Sequence, residues 1–529
     1  MHDHRVFQLS SLKLSCGILS VALGLAPLPV ATAQPSSPAP TVSQPASLQA
    51  LLDAYVEQAV ADWNVPGLAI AVIKNDTVVF AKGYGERVLG EGDAVDADTL
   101  FQIGSTTKAF TVATVGLLVD EQKVTWDDRV ISHLPEFQLT DPAHTREIRI
   151  RDLLTHRTGM GNTDHLWYIV PHTPADIMSR LRLIEPSYPF RAGWVYQNIM
   201  YMTTGEIVAR VSGMPWIDFV ESRLLKPLGM SRSIVNANRA YAMPNVARAH
   251  TPDPEGNVKL VQYRYEAIDP DLAAAGMIWS SVNDMSRLIR MLLNEGVLDD
   301  RRIPSEVVVA EMLRPQTIIP REKFYPTARL TKPHWTTYAL GWFQQDYDGR
   351  AVSFHTGTYD GMSAIVGLIP DEELGMVMLA NLNSADVRHA LMFKVFDLYG
   401  GKLDGRDWSA EFKKMYEDIA AKQKATRPPE KEPIPGTSLS LPLERYAGVY
   451  TSPLYGHIRI TFENGQLQGL LAEAIPATIE HWHYDTFRVR FRNTSYGTML
   501  ISFILGPDGK ANKFENERGQ VFERQAIDE

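Results

Sequence analysis

Cysteine is almost absent from this chain, whose 529 residues contain a single one, Cys16. Because Cys16 lies in an N-terminal segment that we expect to be removed, the mature chain would carry no cysteine at all. Disulfide bonds, thiolate catalysis and cysteine-ligated metal sites are therefore excluded as sources of stability or activity.

Long apolar runs are also scarce. The run 14–30 is interrupted by two prolines and is short for a membrane span, and no later run reaches the roughly 18 apolar residues that a span requires. Arg5 and Lys13 precede the run, and the small residues 31–33 follow it, as in a secretory signal. We predict a cleaved signal peptide over 1–33 and a soluble, periplasmic or secreted protein with no stable membrane insertion. An uncleaved N-terminal anchor is the alternative.

Basic residues are in deficit, since 52 Lys and Arg face 62 Asp and Glu and give a formal net charge of −10 at pH 7. An acidic surface repels nucleic acid and anionic lipid. We expect no nucleic-acid partner, and a small molecule or peptide as the substrate. A homo-oligomer is left open.

Several motifs of other enzyme classes are missing: G-x-S-x-G, the Walker loop, G-x-G-x-x-G and H-E-x-x-H do not occur as functional patterns. His481 and His483 flank Trp482, but the sequence offers no third metal ligand beside them. We therefore expect neither a metal nor a cofactor.

The length of the chain predicts two domains, because one hydrophobic core rarely grows to this size. Residues 34–47 are rich in proline and serine and are expected to form a flexible leader. The first domain is predicted over 48–426, followed by a stiff, proline-rich linker at 427–440. Short strand patterns with turn signals at 441–529 favour a small antiparallel barrel or sandwich.

The first domain combines strands and helices. Strand patterns at 68–73 and 77–81 are joined by the turn residues Asn75 and Asp76, as in a hairpin. Residues 108–119 predict a buried helix, and two more apolar strands surround Pro370. Strands at both ends of a region with helices between them predict a mixed sheet in which the first and last strands are neighbours.

Ser105 and Lys108 lie three residues apart where the buried helix begins. On one helical face, a neutral lysine amine can take the proton of a serine hydroxyl. The helix dipole and burial both disfavour the charged ammonium there. The alternative is an N-cap serine followed by a solvated lysine, and the spacing alone is a weak signal because Ser10 and Lys13 repeat it within the signal peptide.

Two further short motifs follow along the chain. Tyr196 and Asn198 supply a phenol that can carry a proton and an amide that can hold a substrate carbonyl or orient a lysine. His355-Thr356-Gly357 enters an apolar strand, where the glycine lets a ligand backbone approach closely. Taken singly, each motif is better explained by packing or by a solvated side chain.

In this order, however, the three motifs resemble the signature of the serine β-lactamase and penicillin-recognising superfamily. The segments "VPGLAIAVI", "FAKGYG", "TLFQIGSTTKAFT", "LLTHRTGM" and "YALGWF" are similar to the branch that holds class C β-lactamases, D-Ala-D-Ala carboxypeptidases, D-aminopeptidases and related esterases, peptidase family S12. The resemblance covers roughly residues 48 to 400. It implies an α/β (α+β) sandwich, with a mainly antiparallel sheet and an all-helical insert beside the cleft.

The resemblance also implies roles for particular residues. Ser105 would be the nucleophile of an acyl transfer, with Lys108 and Tyr196 relaying its proton. The backbone N–H groups of Ser105 and Thr358 would form the oxyanion hole. Asn198 would bind the acyl side of the substrate. His156, in "LLTHRTGM", resembles a packing or hydrogen-bonding residue of the family.

On the leaving-group side the resemblance implies His355, Thr356 and Gly357. His355 departs from the lactamase pattern, which has lysine, a permanent cation at neutral pH where histidine is mostly neutral. We therefore expect a serine hydrolase of small peptides, amides or esters. A β-lactamase or penicillin-binding carboxypeptidase and a non-catalytic binding protein are the alternatives. The segment from about residue 440 resembles the lipocalin-like barrel of some S12 hydrolases.

Overall fold

A computed structural model describes residues 47–164, 166, 173–253, 255–261, 270–403, 405–426, 432–473, 475–492 and 497–525. The predicted signal peptide, the predicted leader up to residue 46 and part of the predicted linker lie outside these ranges. None of the helices within the described ranges has the length and apolar character that crossing a membrane requires.

The strands and helices are numbered here in chain order. The strands are β1 Gly67–Lys74, β2 Thr77–Gly85, β3 Phe101–Gln102, β4 His250–Pro252, β5 Val258–Leu260, β6 Trp279–Ser280, β7 Val297–Leu298, β8 Arg301–Arg302, β9 Thr317–Ile318, β10 Thr336–Tyr338, β11 Phe343–Tyr347, β12 Arg350–Tyr359, β13 Met362–Ile369, β14 Leu374–Ala380, β15 Gly448–Ser452, β16 Gly456–Glu463, β17 Gln466–Leu471, β18 Ile475–His483, β19 Thr486–Phe491, β20 Thr498–Leu505, β21 Ala511–Asn516 and β22 Val521–Arg524. The helices are α1 Leu48–Asp62, α2 Thr107–Asp120, α3 Val130–His133, α4 Pro142–Glu147, α5 Ile150–Leu154, α6 Pro174–Arg180, α7 Asn198–Ser212, α8 Trp216–Val220, α9 Lys226–Leu228, α10 Ala237–Ala242, α11 Val282–Leu293, α12 Glu306–Leu313, α13 Ala328–Thr331, α14 Val387–Tyr399 and α15 Trp408–Thr426.

The central sheet has eight strands in the order β2-β1-β14-β13-β12-β11-β10-β9. The first hairpin is confirmed, with Asn75 and Asp76 at φ 50° and 57° as a tight turn between twisted strands requires. β1 pairs with β14, so the first and last long strands of the region are neighbours as predicted. The expectation of a mixed sheet is wrong, because every strand pair in this sheet is antiparallel.

Both faces of the sheet are covered, which makes the domain a sandwich. Side chains of a strand alternate between faces, and β1 shows this directly: Ala69 and Ala71 pack with α2 and α11, whereas Leu68 and Ile70 pack with α1, α14 and α15. The predicted buried helix 108–119 corresponds to α2 and lies in the first of these layers. The fully buried, uniformly apolar character of β1 follows from this double cover.

An insert between α2 and β6 packs beside the sheet and carries α3 to α10. Among its described residues, the one pair of strands is a short antiparallel ribbon, in which β4 pairs with β5. This ribbon departs from the expectation of an all-helical insert. Asp152 ties the insert together, because its side chain has no solvent exposure and forms ion pairs with Arg157 at 2.7 Å and Arg191 at 2.6 Å.

The C-terminal strands β15 to β22 form a closed antiparallel barrel. Closure comes from the pairing of β15 with β22, where Tyr450 faces Arg524. Asn464 and Gly465, which form one of the turn signals within 441–529, connect β16 to β17 with φ values of 50° and 79°. Of the two predicted alternatives, barrel and sandwich, the barrel is the one formed.

The turn between β15 and β16 contacts the insert. Arg180, at the end of α6, donates from Nη1 to the carbonyl oxygens of Pro453 at 2.8 Å and Leu454 at 2.9 Å. Leu454 and Tyr455 also pack, partly buried, against the core cluster that contains α2. The barrel therefore contacts α6 of the insert.

Candidate active site

Ser105 lies on the 3₁₀ turn Gly104–Thr106, which leads directly into α2. Gly104 adopts a φ of 53°, and a Cβ placed there would lie 2.7 Å from the backbone nitrogen of Thr358. The edge of β12 is thus packed directly against the turn that presents Ser105. A glycine meets both requirements, the left-handed backbone and the missing side chain.

The Lys108 side chain has no solvent exposure, and its amine has three polar neighbours. Nζ lies 2.6 Å from Asn198 Oδ1, 2.8 Å from the Ala275 carbonyl oxygen and 3.2 Å from Ser105 Oγ. The first two are acceptors only, so they take two N–H groups. A neutral amine has two N–H groups and one lone pair, and this lone pair then faces the Ser105 hydroxyl.

Burial favours the neutral form of this amine. It lowers the pKa of Lys108 from its ordinary 10.5 to about 7, because the charged ammonium loses its hydration, while the negative charge of Asp164 acts in the opposite direction. The rings of Tyr196 and Tyr201 lie 4.9 Å and 5.2 Å from Nζ. The geometry allows proton transfer from Ser105 to Lys108 near neutral pH.

The second motif brings Tyr196 and Asn198 to the same place. Asn198 is the first residue of α7, and its Nδ2 donates to Asp164 Oδ1 at 2.9 Å. The Tyr196 hydroxyl is buried and has no partner of good hydrogen-bond geometry among the described residues. It lies near the Ser105 hydroxyl, which lowers the pKa of Tyr196, whereas burial raises it. Burial dominates and raises the pKa of Tyr196 well above its ordinary value, so the phenol keeps its proton.

His156 is a packing and hydrogen-bonding residue at the base of the site. Its Nδ1 accepts from the backbone N–H of Gln197 at 3.1 Å, and its ring lies 4.4 Å from Tyr196 and 4.6 Å from Tyr338. Burial lowers the pKa of His156 well below its ordinary value, and the positive charge of Lys108 adds to this effect. His156 therefore stays neutral beside the lysine.

The third motif lies on β12 and faces the same pocket. His355 Nδ1 lies 2.6 Å from the Thr356 carbonyl oxygen, and Nε2 lies 3.0 Å from the Tyr338 hydroxyl. Since a carbonyl only accepts, Nδ1 carries the proton and Nε2 accepts from the phenol. Burial, assisted by Lys108, lowers the pKa of His355 to about 3, so this position provides no cation at neutral pH.

Arg388 and Tyr325 hold the end of the third motif through hydrogen bonds. Arg388 Nη1 donates to the Gly357 carbonyl oxygen and to Thr358 Oγ1, each at 2.8 Å. Thr356 Oγ1 lies 2.6 Å from the hydroxyl of Tyr325, which ties the loop after β9 to β12. These contacts fix the strand edge whose Thr358 N–H lies beside Gly104.

A cavity of about 430 Å³ opens onto these groups. The described residues that line it are Ser105, Trp194, Tyr196, Lys323, Phe324, Tyr325, Pro326, Phe343, His355, Thr356 and Thr358. No acidic side chain is among them. Because His355 is neutral and burial keeps both tyrosines protonated, Lys323 is the charged side chain of this lining. Lys323 is exposed, and its Nζ donates to the Trp194 carbonyl oxygen at 3.1 Å.

All eight candidate residues from the three motifs therefore meet at one site, whereas the histidines of the barrel lie elsewhere. His481 Nε2 contacts the Tyr484 carbonyl oxygen at 2.9 Å, at the bulged end of β18. Within the described ranges no group of three or more His, Cys, Asp or Glu side chains is arranged to hold a metal ion.

Sequence reasoning missed four polar residues that support the site. They are Asp164, Gln197, Tyr325 and Arg388. Gln197 could have been found from its position between Tyr196 and Asn198 in the second motif. Its Nε2 donates to the Met160 carbonyl oxygen at 2.9 Å. The others are distant in sequence from the residues they hold, and no local pattern marks them.

Comparison with known proteins gives matches for both parts of the chain. A family model described as Beta-lactamase matches residues 52–395, and a domain of unknown function, DUF3471, matches residues 432–526. The chain is 28% identical over 500 residues to the unguisins hydrolase ungD of Aspergillus violaceofuscus, covering 86% of this chain and 85% of that protein. It is 25% identical over 350 residues to protein flp of Staphylococcus aureus strain N315, covering 64% of each.

Two solved structures share the fold. The octameric penicillin-binding protein homologue from Pyrococcus abyssi aligns with a TM-score of 0.58 at 22% identity, over 89% of this chain and 99% of that one. SurE aligns with a TM-score of 0.52 at 20% identity, over 90% and 99%. With the family model spanning well over half of its length, this chain belongs to the beta-lactamase family.

Proposed function

We propose that this protein is a serine hydrolase that forms an acyl-enzyme on Ser105 and hydrolyses small peptide, amide or ester substrates. The observation that carries the proposal is the hydrogen-bond arrangement of Lys108. Asn198 Oδ1 and the Ala275 carbonyl oxygen both accept from Nζ, so in the neutral form of the amine the lone pair would be directed at the Ser105 hydroxyl. That arrangement is what a general base for a serine nucleophile requires.

In the proposed reaction, Ser105 Oγ attacks the substrate carbonyl carbon while its proton passes to Lys108 Nζ. The oxyanion of the tetrahedral intermediate would be held by the N–H groups of Ser105 and Thr358. Collapse breaks the bond to the leaving group, which takes a proton from Lys108 by way of the Tyr196 hydroxyl. Water, deprotonated by the same pair, then hydrolyses the acyl-enzyme and restores Ser105.

The charge of the pocket bears on the substrate. A β-lactamase or penicillin-binding carboxypeptidase binds a substrate carboxylate, and the neutral His355 offers no cation at the third motif. Asn198 would hold the acyl side, with His355, Thr356 and Gly357 on the leaving-group side. The aromatic lining favours an apolar group near the scissile bond. A hydrolase of neutral peptides, amides or esters fits this lining better, and the hydrolase name of the Aspergillus relative accords with it.

The proposal includes export and domain organisation. We infer a cleaved signal over 1–33, a leader to 47, a hydrolase domain over 48–426, a linker to 440 and a lipocalin-like barrel over 441–529. A homo-oligomer is also proposed, since a neighbour of the same fold is an octamer. N-terminal sequencing of the exported protein and light scattering test these points.

The direct test is covalent labelling with a fluorophosphonate, followed by turnover of p-nitrophenyl esters and D- and L-aminoacyl anilides. Wild type should be labelled and active, and Ser105→Ala should be neither. Equal labelling of both proteins would refute Ser105 as the nucleophile, and turnover that survives in Ser105→Ala would do the same. Nitrocefin hydrolysis or a covalent penicillin adduct would instead favour the lactamase alternative.

A further inference from the structure

Asp164 lies outside the three motifs but controls the orientation of a residue within them. The Asn198 amide can in principle be turned by 180°, which would aim its NH₂ group at the Lys108 amine. A carboxylate only accepts hydrogen bonds, so the contact of Asp164 Oδ1 with Asn198 Nδ2 at 2.9 Å requires the NH₂ group to face Asp164. The amide oxygen must then face Lys108, where it lies 2.6 Å from Nζ.

Asp164 is itself held in place by its own loop. Asn162 Nδ2 donates to Asp164 Oδ2 at 3.1 Å, and the backbone N–H of Asp164 donates to Asn162 Oδ1 at 3.0 Å. The same loop is tied to the start of α7, because Gln197 Nε2 donates to the Met160 carbonyl oxygen. The position of the carboxylate is therefore set independently of the Asn198 side chain that it orients.

Asp164 is also the charged group that faces the Lys108 amine. Among the described residues, the other titratable side chains around it are His156 after α5, Tyr196 before α7, Tyr201 within α7 and His355 on β12. Burial keeps all four neutral near pH 7. Of the described residues, Asp164 is the one whose charge raises the pKa of Lys108 against the effect of burial.

We propose that Asp164 is a positioning residue for the hydrolysis proposed above, on which this inference rests: through the Asn198 amide it keeps the lone pair of Lys108 directed at Ser105. An isosteric Asp164→Asn change removes both the obligate acceptor and the charge. The amide of Asn198 is then free to turn. The lysine also loses the negative charge that favours its protonated form.

The test is the pH dependence of kcat/KM for a neutral p-nitrophenyl ester. Wild type should lose activity as the pH falls through about 7, where Lys108 takes up a proton. In Asp164→Asn the acid limb should move to lower pH, because the ammonium is destabilised, and the plateau kcat should fall by about tenfold as the base is misdirected. Asp164→Glu should restore the acid limb at least in part. Glu136→Gln is the matched control, since it removes an exposed carboxylate of the same insert, paired with Arg210, and should change neither quantity.

A second measurement makes the outcome independent of turnover. In protein labelled with [¹³Cε]lysine, the Lys108 resonance can be assigned by comparison with Lys108→Arg and titrated in wild type and in Asp164→Asn. A lower Lys108 titration midpoint in Asp164→Asn supports the effect of Asp164 on Lys108, whether or not a substrate is hydrolysed. Absence of hydrolysis by the wild type would reject only the proposed function. Unchanged titration, or an unchanged acid limb and plateau in an active enzyme, would overturn the inference.

Discussion

Gly357→Ala is the substitution whose effect on the proposed oxyanion hole follows most directly from the structure. A Cβ at this position would lie 1.9 Å from the carbonyl oxygen of Ile103 and 2.9 Å from its carbonyl carbon. Both atoms belong to backbone immediately before the Ser105 turn, so no side chain can rotate away. Ordinary contact would require β12 and the turn to separate by about 1 Å or more.

That displacement changes the distance between the two proposed oxyanion donors, the N–H groups of Ser105 and Thr358. Such donors act at about 2.7–3.1 Å from the developing oxyanion, and the loss of one costs on the order of 10²–10³ in kcat. We therefore expect Gly357→Ala to lower kcat by about that factor, about 3–4 kcal/mol of transition-state stabilisation. The change in KM should be smaller.

The assay is steady-state hydrolysis of a p-nitrophenyl ester by a variant whose thermal unfolding and circular dichroism show that it is folded. Gly276→Ala provides the matched control, because its Cβ would meet Gly104 C at 3.5 Å and Ser105 N at 3.8 Å, which is ordinary contact in the same place. The control should retain activity. A folded Gly357→Ala enzyme with a kcat near that of wild type would refute the assignment of Thr358 N–H to the oxyanion hole.

Three further outcomes are expected. Below about pH 7, kcat/KM should fall as one proton binds to Lys108. The pH profile should show no second break down to about pH 4, because the pKa of His355 is about 3. A break near pH 6 in a pH-stat series would contradict this. Asp152→Ala should lower the free energy of unfolding by about 3–5 kcal/mol in chemical denaturation, because Arg157 and Arg191 would lose their buried partner. Removal of the exposed Arg210 should cost about 1 kcal/mol or less. Equal losses would be inconsistent with a buried ion network. Arg180→Ala should speed hydrogen exchange at the Pro453–Leu454 turn, while Arg182→Ala, whose Nε bonds locally to Ser179, should not; identical exchange in both variants would show that this contact does not hold the barrel.

The parts of the fold that the sequence predicts correctly are those set by local chemistry. Asn75 and Asp76 are residues that tolerate positive φ, and they form the turn of the first hairpin. The mostly apolar run after Lys108 becomes α2 because it has the length of a helix and no proline. Closure of the barrel could not be predicted, because it depends on the pairing of β15 with β22 across more than seventy residues of chain.

In the candidate site, too, local features could be predicted from the sequence and contacts between distant residues could not. Its three motifs are short, and their side chains could be named from sequence, but Ser10 and Lys13 show that spacing alone does not separate a nucleophile from a coincidence. What distinguishes Ser105 and Lys108 is burial together with partners such as Ala275, which is distant in the chain. Asp164 and Arg388 could not be predicted, since each acts on the site from another element and carries no local signal.

Burial connects the chemistry of the site with its selectivity. Burial of the Lys108 amine lowers its pKa to about 7, as the proposed role of general base requires, and burial also keeps His355 from becoming a cation. Burial therefore provides the proposed base, but it also removes the positive charge that could bind an anionic substrate at the third motif. Among the described lining residues, the cation that could contact an anionic group on a substrate is Lys323, which is exposed and donates to the Trp194 carbonyl oxygen. Contacts of exposed charges are weak, about 1 kcal/mol or less, so discrimination between charged and neutral substrates should be modest and should weaken further with salt.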